Sequence, residues 1–257
     1  MLALALKLTL APALVAIATK VAGRLGHRAG GLVGGLPVVA GPILLIYAVE
    51  QGQAFADEAA AGAVLGIVSL VGFCLAYALA ARRHGTAVAL AAGWAAFGAG
   101  TAAFAMVEPP LAVSTALSLT AVAVGTFALH RMAPDTAGVE SGPDLLVWRL
   151  VVTATLVIAL TAAAGSLSAH LAGLLAPFPI ITAVLAGFTQ AHTGAGAAIE
   201  LLSGLSGALV CFTVFFALLA ASIDAVGVAA AFALATAGAL ACWAVLVAVV
   251  ARVSGGA

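Results

Sequence analysis

The stretch GLVGGLPVV, residues 31–39, returns later in the chain as GLLAPFPII, residues 173–181. The two are 142 positions apart, and both are small, apolar and broken by proline. In a chain dominated by Ala, Leu, Val and Gly such an echo is cheap. It gains weight only if the same offset holds elsewhere, and holds for residue types that are scarce.

The surroundings of that stretch fix the class. Hydrophobic residues make up 65% of the 257 and charged residues 7%. So few charges cannot cover the surface of a soluble domain of this size. Apolar runs of roughly 20 residues, long enough to cross a bilayer as helices, recur along the whole chain. Backbone groups in lipid must be satisfied internally, which selects helices. The expectation is an all-α, polytopic membrane protein.

Charges and turn residues divide the chain into nine expected spans: 2–19, 31–49, 59–81, 86–107, 110–130, 147–168, 172–191, 198–221 and 225–251. Residues 130–144 form the one long polar link. The N-terminal run resembles a signal peptide but has no basic n-region, and Lys7 interrupts it, so it reads as a retained first helix. With the N-terminus outside, Lys20, Arg24, Arg28, Arg82, Arg83, Arg131, Arg149 and Arg252 all fall inside, which leaves Lys7 as the exception. Glu50, Asp57, Glu58, Glu108 and Asp224 fall outside. The positive-inside rule therefore predicts N-out/C-in.

The charges also test the echo. The 142-residue offset matches Gly31 to Gly173, Pro37 to Pro179, Gly62 to Gly204 and Phe73 to Phe215. More tellingly, it takes Glu58 to Glu200 and Lys7 to Arg149. Lys20, Arg24 and Arg28 map instead onto Ala162, Ser166 and His170, and Arg82 onto Asp224. Two four-helix halves separated by one helix enter the membrane from opposite sides, so inner basic loops of the first become outer loops of the second and must lose their charge. The reading is an inverted 4+1+4 repeat: residues 1–107, a linker helix and loop at 108–146, and a second, inverted unit at 147–257.

Lys7, GGLVGGLP (30–37) and Glu50-Gln51-Gly52 together give a pattern that resembles the GlpM-like small inner-membrane proteins. The similarity covers about 1–107 and, more faintly, 147–251, with Arg149 for Lys7 and His192 for Glu50. It implies two such units fused through a linker helix, in a bacterial inner (plasma) membrane. That family is associated with alginate and glycerol-linked physiology.

Zero formal charge argues against nucleic acid as a partner. Cys74, Cys211 and Cys242 lie inside apolar runs and read as buried hydrophobes. No hydrolase, kinase, nucleotide-binding or zinc motif is present, so no enzyme, metal or cofactor is expected.

The expected site residues are Lys7, Glu50 and Glu58 toward the outer face, and Arg149, His192 and Glu200 toward the inner face. Intramembrane ionisable groups are default candidates for a substrate or proton pathway. The same residues equally suit snorkelling to headgroups, solvated loops or a structural ion pair. Thr182, Thr189 and Gln190 share one helical face and form the best candidate polar stripe, though three members also arise by chance. Gly31, Gly35, Pro37 and Pro179 mark helix starts where the ladder is weakened, and small residues there also serve plain helix packing.

The leading expectation is a secondary transporter or permease for a small polar or anionic solute, alternating access between the two repeats. The alternatives are a non-transporting accessory protein of envelope or polysaccharide assembly and a lipid flippase. Short loops leave room for a homodimer or a lipid-embedded partner rather than a large soluble one.

Overall fold

The computed structural model describes residues 2–34, 40–133, 147–153, 155 and 167–255. Among these every regular element is helical: α1 (Leu2–Leu25), α2 (His27–Gly34), α3 (Ala40–Glu50), α4 (Gln53–Ala81), α5 (Thr86–Phe104), α6 (Leu111–Met132), α7 (Ala169–Leu175), α8 (Ile180–Thr193), α9 (Ala195–Val226) and α10 (Val228–Gly255). Residues 147–153 are helical as well.

Among the described residues, six stretches are long and apolar enough to cross a membrane: Gln53–Ala81, Thr86–Phe104, Leu111–Met132, Ala169–Thr193, Ala195–Val226 and Val228–Val249. They carry the spans expected at 59–81, 86–107, 110–130, 172–191, 198–221 and 225–251. The chain is thus a helical, multi-pass membrane protein. The helix expected at 147–168 falls largely outside the described residues, as do Gly35, Pro37 and most of the loop at 130–144.

Of the span expected at 31–49, residues 31–34 belong to α2 and 40–49 to α3, and 35–39 lie outside the described residues. The span expected at 172–191 is broken between α7 and α8, where Ala176–Pro179 turn on short-range bonds from Ala176 N–H to Gly173 O and from Phe178 N–H to Leu175 O. Pro177 and Pro179 supply no N–H to continue the ladder, although Ala176 before the first of them keeps an α backbone at φ −57° and ψ −40°.

Glycine sets another pair of breaks. Gly52, between α3 and α4, has φ 94° and ψ 169°, and Gly194, between α8 and α9, has φ 100° and ψ 172°. That backbone region is open essentially to glycine alone. The two are 142 positions apart. The same offset carries α2 onto α7, α3 onto α8, α4 onto α9 and α5 onto α10.

At the centre lie α4 and α9. They run antiparallel, the start of α4 meeting the end of α9, where Gln53 Nε2 donates to Asp224 Oδ1 at 3.0 Å. The short helices cross over: α2 packs on α9, and α7 packs on α4. Glycines make this possible. A Cβ on Gly31 would collide with the Leu201 carbonyl, and one on Gly173 with the Ala59 carbonyl. Likewise Gly204 abuts the Arg28 backbone, and Gly62 abuts that of His170. Each contact turns into the other when its residues are exchanged at the 142-residue offset. Lipid tails are as apolar as the side chains, so close backbone approach is the main source of association here.

The outer layer is α5, α6 and α10, whose side chains remain largely exposed, with Leu117, Val124, Phe127, Leu240 and Val245 among the large apolar groups on the surface. Such a surface suits a hydrocarbon solvent. The helix without a counterpart, α6, lies against both central helices. Ser118 Oγ meets Thr213 Oγ1 at 2.9 Å, Thr126 Oγ1 donates to Ser206 Oγ at 3.2 Å, and Gly125 rests on Val71.

Candidate functional site

The ionisable residues sort by the two ends of the bundle. At one end, Glu58 on the first turns of α4 accepts a hydrogen bond from the backbone N–H of His170 at 3.1 Å. His170 is in the first turn of α7, where N–H groups lack intrahelical partners. Its ring Nε2 lies 3.0 Å from the Phe104 carbonyl, which can only accept, so Nε2 is the donor. Asp57 faces Asp224 and Glu58, and Glu50 is exposed at the end of α3. This end is acidic. Lys7 lies in α1 with its side chain outside the described residues, and of the expected cluster of Lys7, Glu50 and Glu58 the two acidic members lie at this end.

At the other end the offset partners recur with altered chemistry. Glu200, the mate of Glu58, is within electrostatic reach of Arg28, the mate of His170. Arg149 donates from Nη1 to Thr19 Oγ1 at 3.0 Å, and its guanidinium carbon sits 5.6 Å from the Phe188 ring centroid. Phe188 in turn stacks on His192, with centroids 6.4 Å apart. Arg149 and His192 therefore both lie against one aromatic ring. The charge of Arg149 also reaches His27, which is 9% exposed and whose two ring nitrogens have no hydrogen-bond partner among the described residues. Arg82, Arg83 and His84 are exposed in the turn between α4 and α5.

The expected polar stripe on α8 has a different fate at each position. Thr182 and Thr189 are buried inside the bundle. Gln190 ties three elements together: its Oε1 accepts from the Tyr77 hydroxyl at 2.6 Å, and its Nε2 donates to the His84 carbonyl at 3.0 Å. The offset mates of Tyr77 and Gln190 are Leu219 and Ala48, both buried and apolar, so this tie exists at one end only. Tyr77 was not among the expected residues. The signal for it was a lone phenol in an apolar helix, which needs a partner for its O–H when buried. Thr19, His27 and Phe188 were missed for want of any local signal.

Beside this end lies a cavity of about 250 Å³ between α5, α8 and residues 147–153. Its walls are Leu90, Trp94, Val152, Ala183, Val184, Gly187, Phe188 and Ala191, and its polar members are Thr86 and His192. Thr86 opens α5 and His192 closes α8, so both polar groups mark helix ends while the apolar walls extend along the helix bodies. Cys74, Cys211 and Cys242 are free thiols within helices. Among the described residues, no group of three or more His, Cys, Asp and Glu is placed to hold a metal ion. No protein-family model matches this chain, and no curated protein or solved structure matches it either.

Proposed function

We propose that the chain is a secondary transporter or permease for a small polar or anionic solute, built as an inverted repeat of two four-helix units around α6. The observation that carries this reading is the reciprocal packing of the halves: Gly31 on Leu201 against Gly173 on Ala59, and Gly204 on Arg28 against Gly62 on His170. Contacts that exchange in this way between antiparallel helices have the geometry of a two-fold axis perpendicular to those helices. In a bilayer such an axis lies in the membrane plane, which is the arrangement of inverted-repeat transporters. The axis itself does not tell the two ends apart; the positive-inside rule would make the basic end the inner one, in accord with N-out/C-in.

The axis relates the backbones but not the side-chain ties. One end is held by Tyr77, Gln190 and His84, and the other by Gln53 and Asp224. Both ties are made in this structure, and alternating access would require them to open in turn. Lys7 and Arg149 would supply positive charge, with Glu50, Glu58, His192 and Glu200 handling counter-charge or protons. The resemblance of 1–107 to the GlpM-like proteins fits this reading as one unit of the pair.

Flux into proteoliposomes tests it. Reconstituted protein should move small inorganic or carboxylate anions, and neutralising Lys7 and Arg149 together should reduce the rate. No flux of any such solute, or flux indifferent to both neutralisations, would sink the proposal.

A further inference from the structure

We propose that the cavity between α5 and α8 is a binding site for an anionic glycerophospholipid, one acyl chain lying in the groove and the phosphate at its mouth. The proposal stands independently of solute transport.

The groove has the amphipathic plan of such a ligand. Its body is apolar, formed by Leu90, Trp94, Val152 and Phe188, and its polar groups, Thr86 and His192, mark one end. At about 250 Å³ it is smaller than the roughly 300–1,000 Å³ of sites for drug-sized molecules. An alkyl segment suits that volume and lining, whereas a hydrated solute would lose its water against carbon. The wall faces outward in part: Trp94, which lines it, is 38% exposed. A chain can therefore enter sideways from the bilayer.

The mouth selects the headgroup. His192 lines it and stacks on the Phe188 ring, and Arg149, which donates to Thr19 and does not itself line the cavity, lies against the same ring with its guanidinium carbon 5.6 Å from the centroid. Arg82 and Arg83 occupy the turn that leads into Thr86, and the Gln190 bond to the His84 carbonyl fixes that turn beside α8. The first N–H groups of α5 add to this, because Gly85 at its N-cap offers no side-chain acceptor. An uncapped helix start beside cations favours phosphate oxygens. The 142-residue mates argue that the site is built once. Glu50 stands for His192 and would repel a phosphate, and the bulkier Phe232 stands for Leu90.

Trp94 reports directly on the groove. The full-length Trp148→Phe/Trp243→Phe protein retains Trp94 as its only tryptophan. It would be reconstituted in vesicles of fixed anionic content containing either brominated-chain phosphatidylglycerol or brominated-chain phosphatidylcholine. Quenching of Trp94 should reach half-maximum at an about five-fold lower fraction of the brominated anionic lipid, the factor expected for one basic residue that reaches the headgroup. Arg149→Gln should abolish that preference and Arg149→Lys should restore it. His192→Gln provides a second variant if Arg149→Gln fails to fold. Gly187→Leu, which fills the groove, should weaken quenching by both lipids. Equal quenching by the two lipids in the parent protein, or a preference that survives both Arg149→Gln and His192→Gln, would overturn the proposal.

Discussion

Glu58 accepts a hydrogen bond from the backbone N–H of His170 at 3.1 Å, joining residues 112 positions apart in sequence. The carboxylate thereby sits on the N-terminus of α7, where the helix dipole and unpaired N–H groups favour negative charge. Its mate Glu200 lies near Arg28, in the first turn of α2. The two acidic residues retained at the 142-residue offset thus serve the same short helix in opposite halves. Glu58→Ala should lower stability by about 0.5–2 kcal/mol. Glu58→Gln, which keeps an acceptor, should cost less. Thermal unfolding in detergent gives the order, and equal losses for the two variants would count against a charge–dipole contribution.

The close-packed glycines predict opposite signs for one kind of substitution. Gly31→Ala and Gly173→Ala each press a methyl group onto a carbonyl of the other half and should destabilise by about 2 kcal/mol or more. Gly98, inside α5, faces open space. Gly98→Ala should be neutral or stabilising, by up to about 1 kcal/mol. Unfolding midpoints of the three variants check this, and a similar loss at all three positions would contradict the reciprocal packing.

The backbone at Gly52 and Gly194 predicts a second matched pair. With φ at 94° and 100°, each alanine variant should cost about 1–3 kcal/mol, although neither position has a neighbour within 4 Å of an added Cβ. The penalty comes from backbone conformation and not from contact, so Gly52→Ser should fare no better than Gly52→Ala. The same unfolding assay reads both.

The tie at the basic end should behave as a unit. Tyr77→Phe and Gln190→Leu each remove the 2.6 Å bond between them, at about 1 kcal/mol per lost partner or more where a polar group remains buried. A double-mutant cycle should return a coupling of at least about 0.5 kcal/mol. Gln190→Leu also releases the His84 carbonyl, so it should be the costlier single change.

Topology has its own test. In a background with Cys74, Cys211 and Cys242 replaced by Ala, the Glu108→Cys protein should react with a membrane-impermeant maleimide on intact cells. The Arg83→Cys protein should react only after permeabilisation. The reverse pattern would invert the N-out assignment.

Sequence alone determined the class, because 65% hydrophobic residues with 7% charge leave a bilayer as the only solvent such a surface tolerates. It also exposed the 142-residue register, since the offset recurs at scarce residues such as Glu58 and Glu200 and at glycines that no other residue replaces without strain. What it could not reach was the partner of each group. Thr19 with Arg149, Tyr77 with Gln190 and Glu58 with His170 are brought together from helices more than a hundred positions apart. A periodic pattern says which face of a helix is apolar, not which helix it will meet. The expected stripe of Thr182, Thr189 and Gln190 shows the difference: one helical face was legible, but only the packing of α4 and the α4–α5 turn against α8 decided that Gln190 closes a tie. The apolar cavity beside it arises in the same way, from a gap between helix bodies that no single segment encodes.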